Sequence, residues 1–237
     1  MRIKDFEERI EEIGALYAKA VDEEEYTTVM ENSLLLREEM EKAGCILEEI
    51  AEAVFSGFFA RYYWIRKFFI NEEVTEGLKE EVKKFYERIT DPLLKVRYGY
   101  LLAIIVGELE EDFDEAKRLN KEIRQIAEST GNISEILREI NSRGLQAAKE
   151  GNHILAIKIF SEIEAFTNIP EKAFRHAGNI LNNRGASKIR GDISPIDGAV
   201  DLIAAVADYY LREEEPSLKH LDGIRNRLRE AQEKIKQ

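Results

Sequence analysis

One cysteine stands among the 237 residues, so the chain can form neither an internal disulfide nor a cysteine-based metal cluster. Cys45 reads instead as a small packing residue. Histidine is nearly as scarce: His153, His176 and His220 fall in separate predicted helices, and a metal site would have to lean on carboxylates. The segment Glu150-Gly151-Asn152-His153 has the spacing of a carboxylate-bridged di-metal motif, but it falls on a predicted turn and has no second copy, so no metal is expected. There is no glycine-rich phosphate loop after a strand, no zinc-protease helix and no serine in a nucleophile elbow. Neither catalytic residues nor a cofactor can be assigned from such a sequence. Basic charge is outnumbered, with 35 Lys and Arg against 47 Asp and Glu and a net charge of −12. That balance argues against whole-surface attraction to nucleic acid or anionic lipid. The longest apolar stretch, Val54 to Ile70, is broken by Arg61, Arg66 and Lys67 and falls short of the ~20 apolar residues of a membrane span. Met1-Arg2-Ile3-Lys4-Asp5-Phe6 is charged from the start and lacks the apolar core of a secretion signal. A soluble, cytoplasmic protein is expected.

What is present has helical periodicity throughout. Ile3, Phe6, Ile10, Ile13, Tyr17 and Ala20 recur at spacings of three and four and share one stripe. Further helices are expected from about Glu25 to Ala43, where Gly44 stops the run, and from Ile46 to Ile70. The next, from Asn71 through Ile89, buries Val74, Leu78, Val82, Phe85 and Ile89. Asp91-Pro92 restarts the chain as a cap followed by proline at the first helical position. Beyond it, Gly131-Asn132, Gly151-Asn152, Pro170, Gly191-Asp192 and Pro216 separate helices that run to about Glu110, Phe113 to Ser129, then to Glu150, His153 to Phe166, Glu171 to Arg190, Pro195 to Arg212 and Ser217 to the end. No alternating β-branched segment competes. Short joins between long helices enforce antiparallel neighbours, so the fold class is all-α, built of helical hairpins.

The hairpins carry a repeat. Phe113-Asp114-Glu115-Ala116, His153-Ile154-Leu155-Ala156 and Ile196-Asp197-Gly198-Ala199 each open a second helix and reach a small residue, with the alanines about 40 residues apart. Tight helix crossings are expected at Ala116, Ala156 and Ala199. From Ile140 to Pro170 the chain resembles the tetratricopeptide repeats. Gly144 stands where that family has its first-helix glycine, Gly151-Asn152 where its turn lies, and Ala156 and Phe160 where its second helix carries Ala and an aromatic. Ala147 replaces the usual tyrosine, Ile163 the usual alanine, and the period exceeds the family's 34 residues. The resemblance implies a solenoid or superhelical bundle forming one domain over residues 1–237: irregular hairpins over 1–90, repeat-like hairpins over 91–215 and a capping helix over 216–237.

Two clusters stand out as candidate binding surfaces. The run from Phe58 to Phe69 is too rich in aromatics for one helix to bury against a single neighbour. It reads either as a central helix packed on several sides or as a partner surface made by Phe58, Arg61, Tyr62, Tyr63 and Trp64, with a homodimer favoured. Charge is also segregated. Lys172, Arg175, Arg184, Lys188 and Arg190 face one acid between Glu171 and Gly191, whereas five acids face one arginine between Pro195 and Glu214. The resemblance implies that first helices line a groove and second helices its back. The groove would then be basic, with Arg97, Arg175, Asn179, Asn182 and Arg190 receiving an acidic peptide or protein segment. The expected function is therefore a non-catalytic protein-protein interaction module. Two alternatives stand beside it: an enzyme or small-ligand-binding bundle drawing on Arg97, Tyr98, His176 and Asn179, and an RNA or polyanion binder along the basic first helices.

Overall fold

A computed structural model describes residues 5–23, 26–68, 72–166, 169–170, 173–210 and 218–236, with the side chains of all but 18, 21–23, 174–175, 207–210 and 218–222. Among the described residues there are eleven α-helices and no strand. The chain divides into two compact units, Met1–Glu115 and Ala116–Gln237, where the sequence suggests one domain with its hairpins changing character near residue 90.

The first unit holds α1 (Glu7–Glu23), α2 (Tyr26–Lys42), α3 (Leu47–Phe68), α4 (Glu72–Arg88), α5 (Pro92–Glu108) and the start of α6 (Phe113–Thr130). The predicted stripes are buried as expected: Phe6, Ile13 and Ala20 along α1, and Leu78, Val82, Phe85 and Ile89 along α4 and just past it. Ile3 lies outside the described residues. Asp91 caps α5 by accepting from the Leu94 amide at 2.8 Å, and Pro92 takes the first helical position, where no amide hydrogen is needed. α5 is apolar nearly all round and buries Leu94, Val96, Tyr98, Leu101, Leu102, Ile105 and Val106. Such a helix must be covered on several sides, and α3 and α4 both pack on it.

The second unit holds the rest of α6 with α7 (Ile133–Lys149), α8 (His153–Phe160), a 3-10 turn (Ser161–Ala165), α9 (Phe174–Arg190), α10 (Pro195–Tyr210) and α11 (Leu218–Ile235). Its Gly-Asn pairs work as a stop and a start. Gly131 and Gly151 take φ of 61° and 76°, a left-handed turn that ends a helix at little steric cost in glycine. Asn132 and Asn152 then cap the next helix by accepting from the Ser134 and Leu155 amides. The helix expected from His153 to Phe166 is shorter than its pattern suggests, because its last turn tightens to 3-10 at Ser161.

Two of the three alanines expected at crossings, Ala116 and Ala156, are fully buried. The third differs. Ala199 is only partly buried, and α9 meets α10 one residue earlier, where a Cβ on Gly198 would lie 2.8 Å from the Gly185 carbonyl oxygen. The register is set by the pair of glycines, not by the alanine. A comparable approach joins α7 to the end of α8, where a Cβ on Gly144 would lie 2.2 Å from the Phe160 ring.

Candidate functional site

Two cations of α9, Arg184 and Lys188, are paired inside the second unit. Arg184 Nε and Nη2 donate to both Asp201 oxygens on α10 at 3.0 and 2.8 Å, and Lys188 Nζ lies 2.8 Å from the same carboxylate. Arg184 and Asp201 side chains are 9% and 8% exposed, so the pair is desolvated and bidentate, the geometry in which such a contact is strong. Arg184 Nη1 also reaches Glu164 at 2.6 Å. Part of the contrast between cationic α9 and anionic α10 thus closes on itself, at Asp201.

The five residues expected to line the basic groove fall in both units, Arg97 in the first and the other four in the second. Arg97 belongs to α5 in the first unit, 3.8 Å from Glu52. Asn182 is buried and accepts from Arg227 of α11 at 2.6 Å. Asn179 is half-buried, Arg190 is exposed, and the Arg175 side chain lies outside the described residues. Of the residues named for an alternative bundle site, Tyr98 is fully buried and donates to the Ala51 carbonyl at 2.7 Å, while His176 lies 3.4 Å from Arg138 of α7. Glu150, half of the metal-like spacing, accepts from Gln146 and pairs with Lys117. Among the described residues no three His, Cys, Asp or Glu side chains gather as metal ligands.

In the first unit the expected interface residues divide. Phe58 and Tyr62 are buried within their own unit. Phe58 meets Phe85 and Tyr98 edge-on at 5.5 and 6.0 Å, and the Tyr62 hydroxyl donates to Glu108. Burial, then the negative Glu108 carboxylate, pushes the Tyr62 hydroxyl well above its ordinary pKa, and burial does the same to Tyr98. Tyr63 stacks on Tyr26 at 5.7 Å, Trp64 lies 6.0 Å from Phe68, and Arg61 pairs with Glu81. The run therefore belongs to a helix packed on several sides, by α1, α2, α4 and α5, with Arg61, Tyr63 and Trp64 left half-buried.

A further polar cluster was invisible in the sequence because its members come from three elements. The fully buried Glu139 carboxylate on α7 is held by Arg124 of α6 and Arg143 of α7, and both arginines also reach Glu162 in the 3-10 turn at 3.0 and 2.8 Å. Burial alone would raise the Glu162 pKa. The hydrogen bonds and charges of Arg143 and Arg124 outweigh it and hold the carboxyl below its usual range. Beside this cluster, Asn120 donates to Gln146 and accepts from Ser142. With partners this complete, the cluster acts as internal structure.

The outward side of α10 is different. Ile196, Val200 and Ile203 are 61, 59 and 61% exposed, and Ile193 just before the helix is 46% exposed. Spacings of four and three put Ile196, Val200 and Ile203 on one face of the helix. His153 packs against Gly191, which brings the start of α8, with exposed Ile154 and Leu155, to the same end of the unit. Among the described residues no helix is long and apolar enough to cross a membrane. No protein family matches the chain, and no curated protein or solved structure is significantly similar to it.

Proposed function

We propose that the chain is a non-catalytic, tetratricopeptide-like interaction module, and that it engages its partner through the outer face of α10. The supporting observation is the stripe Ile196, Val200 and Ile203, with exposed Ile193 just before the helix, since single exposed apolar side chains are ordinary whereas an aligned row is a docking feature. The tetratricopeptide likeness is supported by Gly144 against Phe160 and by the Gly-Asn turns. In that comparison α10 is a second helix, so the contact surface is the back of the stack and not its groove.

The occupant is an amphipathic helix of another protein, with an apolar stripe flanked by lysine or arginine. Charge complementarity supports this choice. Exposed Asp197 adjoins the stripe, α10 carries no cation, and the chain carries a net −12. Two helices meeting through rows at these spacings reuse ordinary helix packing.

Calorimetric titration of the full chain with a designed lysine-flanked amphipathic peptide tests the reading. Saturable binding is expected, weakening with salt, and falling at least tenfold for the scrambled peptide and for the Ile196→Ser, Val200→Ser, Ile203→Ser triple variant. Equal binding by wild type and the triple variant defeats it. Binding of an acidic peptide that is lost in Arg190→Glu would instead restore the basic-groove alternative.

A further inference from the structure

α2 and α4 both pack on α3, and a cavity of about 210 Å³ lies where they flank it. Met30 of α2 and Val54 and Phe58 of α3 make its apolar lining, and Arg37, Arg61 and Glu81 supply its charged groups. α2 comes closest to α3 at Gly57, where a Cβ would lie 2.3 Å from the Ser33 Cβ. The short join at Gly44 makes the two helices antiparallel. Arg37 and Arg61, each four residues beyond this contact on its own helix, therefore stand about one turn to opposite sides of it. Both nevertheless reach one carboxylate of α4. Arg37 Nη1 donates to one oxygen of Glu81 at 3.1 Å and Arg61 Nη1 to the other at 2.9 Å.

The two arginines are satisfied unequally. Arg37 has a second carboxylate, since its Nε donates to Glu41 at 2.8 Å, and its guanidinium lies 5.3 Å from the Phe85 ring centre. Arg61 donates from Nη1 alone, so its Nε and Nη2 edge has no acceptor among the described residues. Gly77 of α4 leaves that edge room, because a Cβ there would lie 3.3 Å from Nη2. The Arg61 side chain is 26% exposed. Partly withdrawn from water beside an apolar cavity, such a guanidinium gains more from a carboxylate than one on open surface.

We infer that this cavity binds a small monocarboxylate with an apolar body. The carboxylate takes the open edge of Arg61 through two parallel hydrogen bonds, and the body lies against Met30, Val54 and Phe58. An apolar cavity of about 150 Å³ holds benzene, so this one has room for a single ring or a short alkyl chain. Glu81 tempers the site. Its negative charge offsets part of the cationic attraction, so affinity is set by how much of Arg61 it leaves uncompensated. The site lies in the first unit and is independent of the α10 surface.

Phenylacetate is the probe, read on methyl-labelled methionine by NMR in the full chain. Met30 lines the cavity and Met40 is buried in the first unit without lining it, so Met30 should shift saturably while Met40 stays nearly still. Phenylacetamide, which lacks the charge, and acetate, which lacks the apolar body, should each bind at least tenfold more weakly. Arg61→Gln should remove the preference for acid over amide, with an unmoved Met40 signal showing that the unit remains folded. Glu81→Gln removes the opposing charge and should strengthen phenylacetate about threefold or more while leaving phenylacetamide unchanged, a response that a merely structural role would not give. No Met30 shift at millimolar probe, equal binding of acid and amide, a preference that survives Arg61→Gln, or phenylacetate binding that Glu81→Gln leaves unchanged or weakens each overturns the site.

Discussion

The two units solve the same packing problem with different materials. In the first, α3 and α5 are held by rings: Phe55, Phe58 and Phe85 all lie within 6.0 Å of Tyr98, and among the described residues the buried polar side chains other than tyrosine are Ser33 and Thr75. In the second, close helix approach at Gly144 and at Gly185 with Gly198 is combined with ten buried polar or charged side chains, among them Glu139, Arg184 and Asp201. Aromatic packing is tolerant of small shifts. A buried ion pair is not, because removing one partner strands a charge. The second unit should therefore be the more brittle of the two under single substitutions, and the first the more forgiving.

The largest effect is expected at Asp201. Asp201→Ala leaves Arg184 and Lys188 facing each other around a missing carboxylate, and loss of a buried partner of this kind costs about 3–5 kcal/mol. The chain has one tryptophan, Trp64 in the first unit, so its fluorescence follows that unit while far-UV circular dichroism follows both. The dichroism transition should move to lower denaturant with the Trp64 transition little changed. Equal displacement of both signals would make the units one cooperative block and end the comparison. Gly144→Ala comes next. Its methyl would enter the Phe160 ring, and overpacking of this sort costs about 1–3 kcal/mol. Adding Phe160→Leu should recover part of the loss, which a backbone effect would not.

The contrast also has a pH signature. Glu162 titrates below its unfolded value, so the stability it gives the second unit is present above the ordinary glutamate range, near pH 4.5, and is lost as pH falls through the depressed folded value. Tyr62 and Tyr98 titrate above theirs, so their contribution to the first unit is complete below about pH 10 and lost as pH rises beyond it. Acid should thus reduce the dichroism midpoint before the Trp64 midpoint, and alkali should reverse the order. Glu48 and Glu76 of the first unit also titrate low, but both are fully exposed and screened, so they contribute little to that order. Tyr98→Phe removes one hydroxyl and its bond to Ala51, costs about 1 kcal/mol at neutral pH, and should flatten part of the alkaline loss.

Sequence periodicity carried the helices because their signals are local: a stripe at 3.6-residue spacing, Asp91 before Pro92, glycine followed by asparagine. The contacts between helices were less legible, since they depend on which turns of two distant segments face each other. Ala199 looked like a crossing residue by analogy with Ala156, yet Gly198 makes the approach because its partner is Gly185, a pairing that only helical phase decides. Charge totals were incomplete for the same reason. Counting cations on α9 and acids on α10 revealed a complementarity, but not that Asp201 points inward at Arg184 and Lys188.

The smallest expected effect on stability lies on the outer face of α10, and its smallness is what makes it informative. Gly198, Leu202 and Ala205 hold this helix to the rest of its unit, and all three are buried. Ile196, Val200 and Ile203 stand on the opposite side and make little contact with it. Serine has nearly the helix propensity of isoleucine and valine, and exposed substitutions away from caps and pairs usually stay within about 0.5 kcal/mol. Each Ser replacement should therefore leave the denaturation midpoint almost unchanged while the affinity for a lysine-flanked helix falls. If instead the triple variant loses several kcal/mol, these side chains are covered within the protein itself, and the exposed row cannot be the surface a partner uses. A stable triple variant that no longer binds would separate what holds α10 in place from what α10 holds.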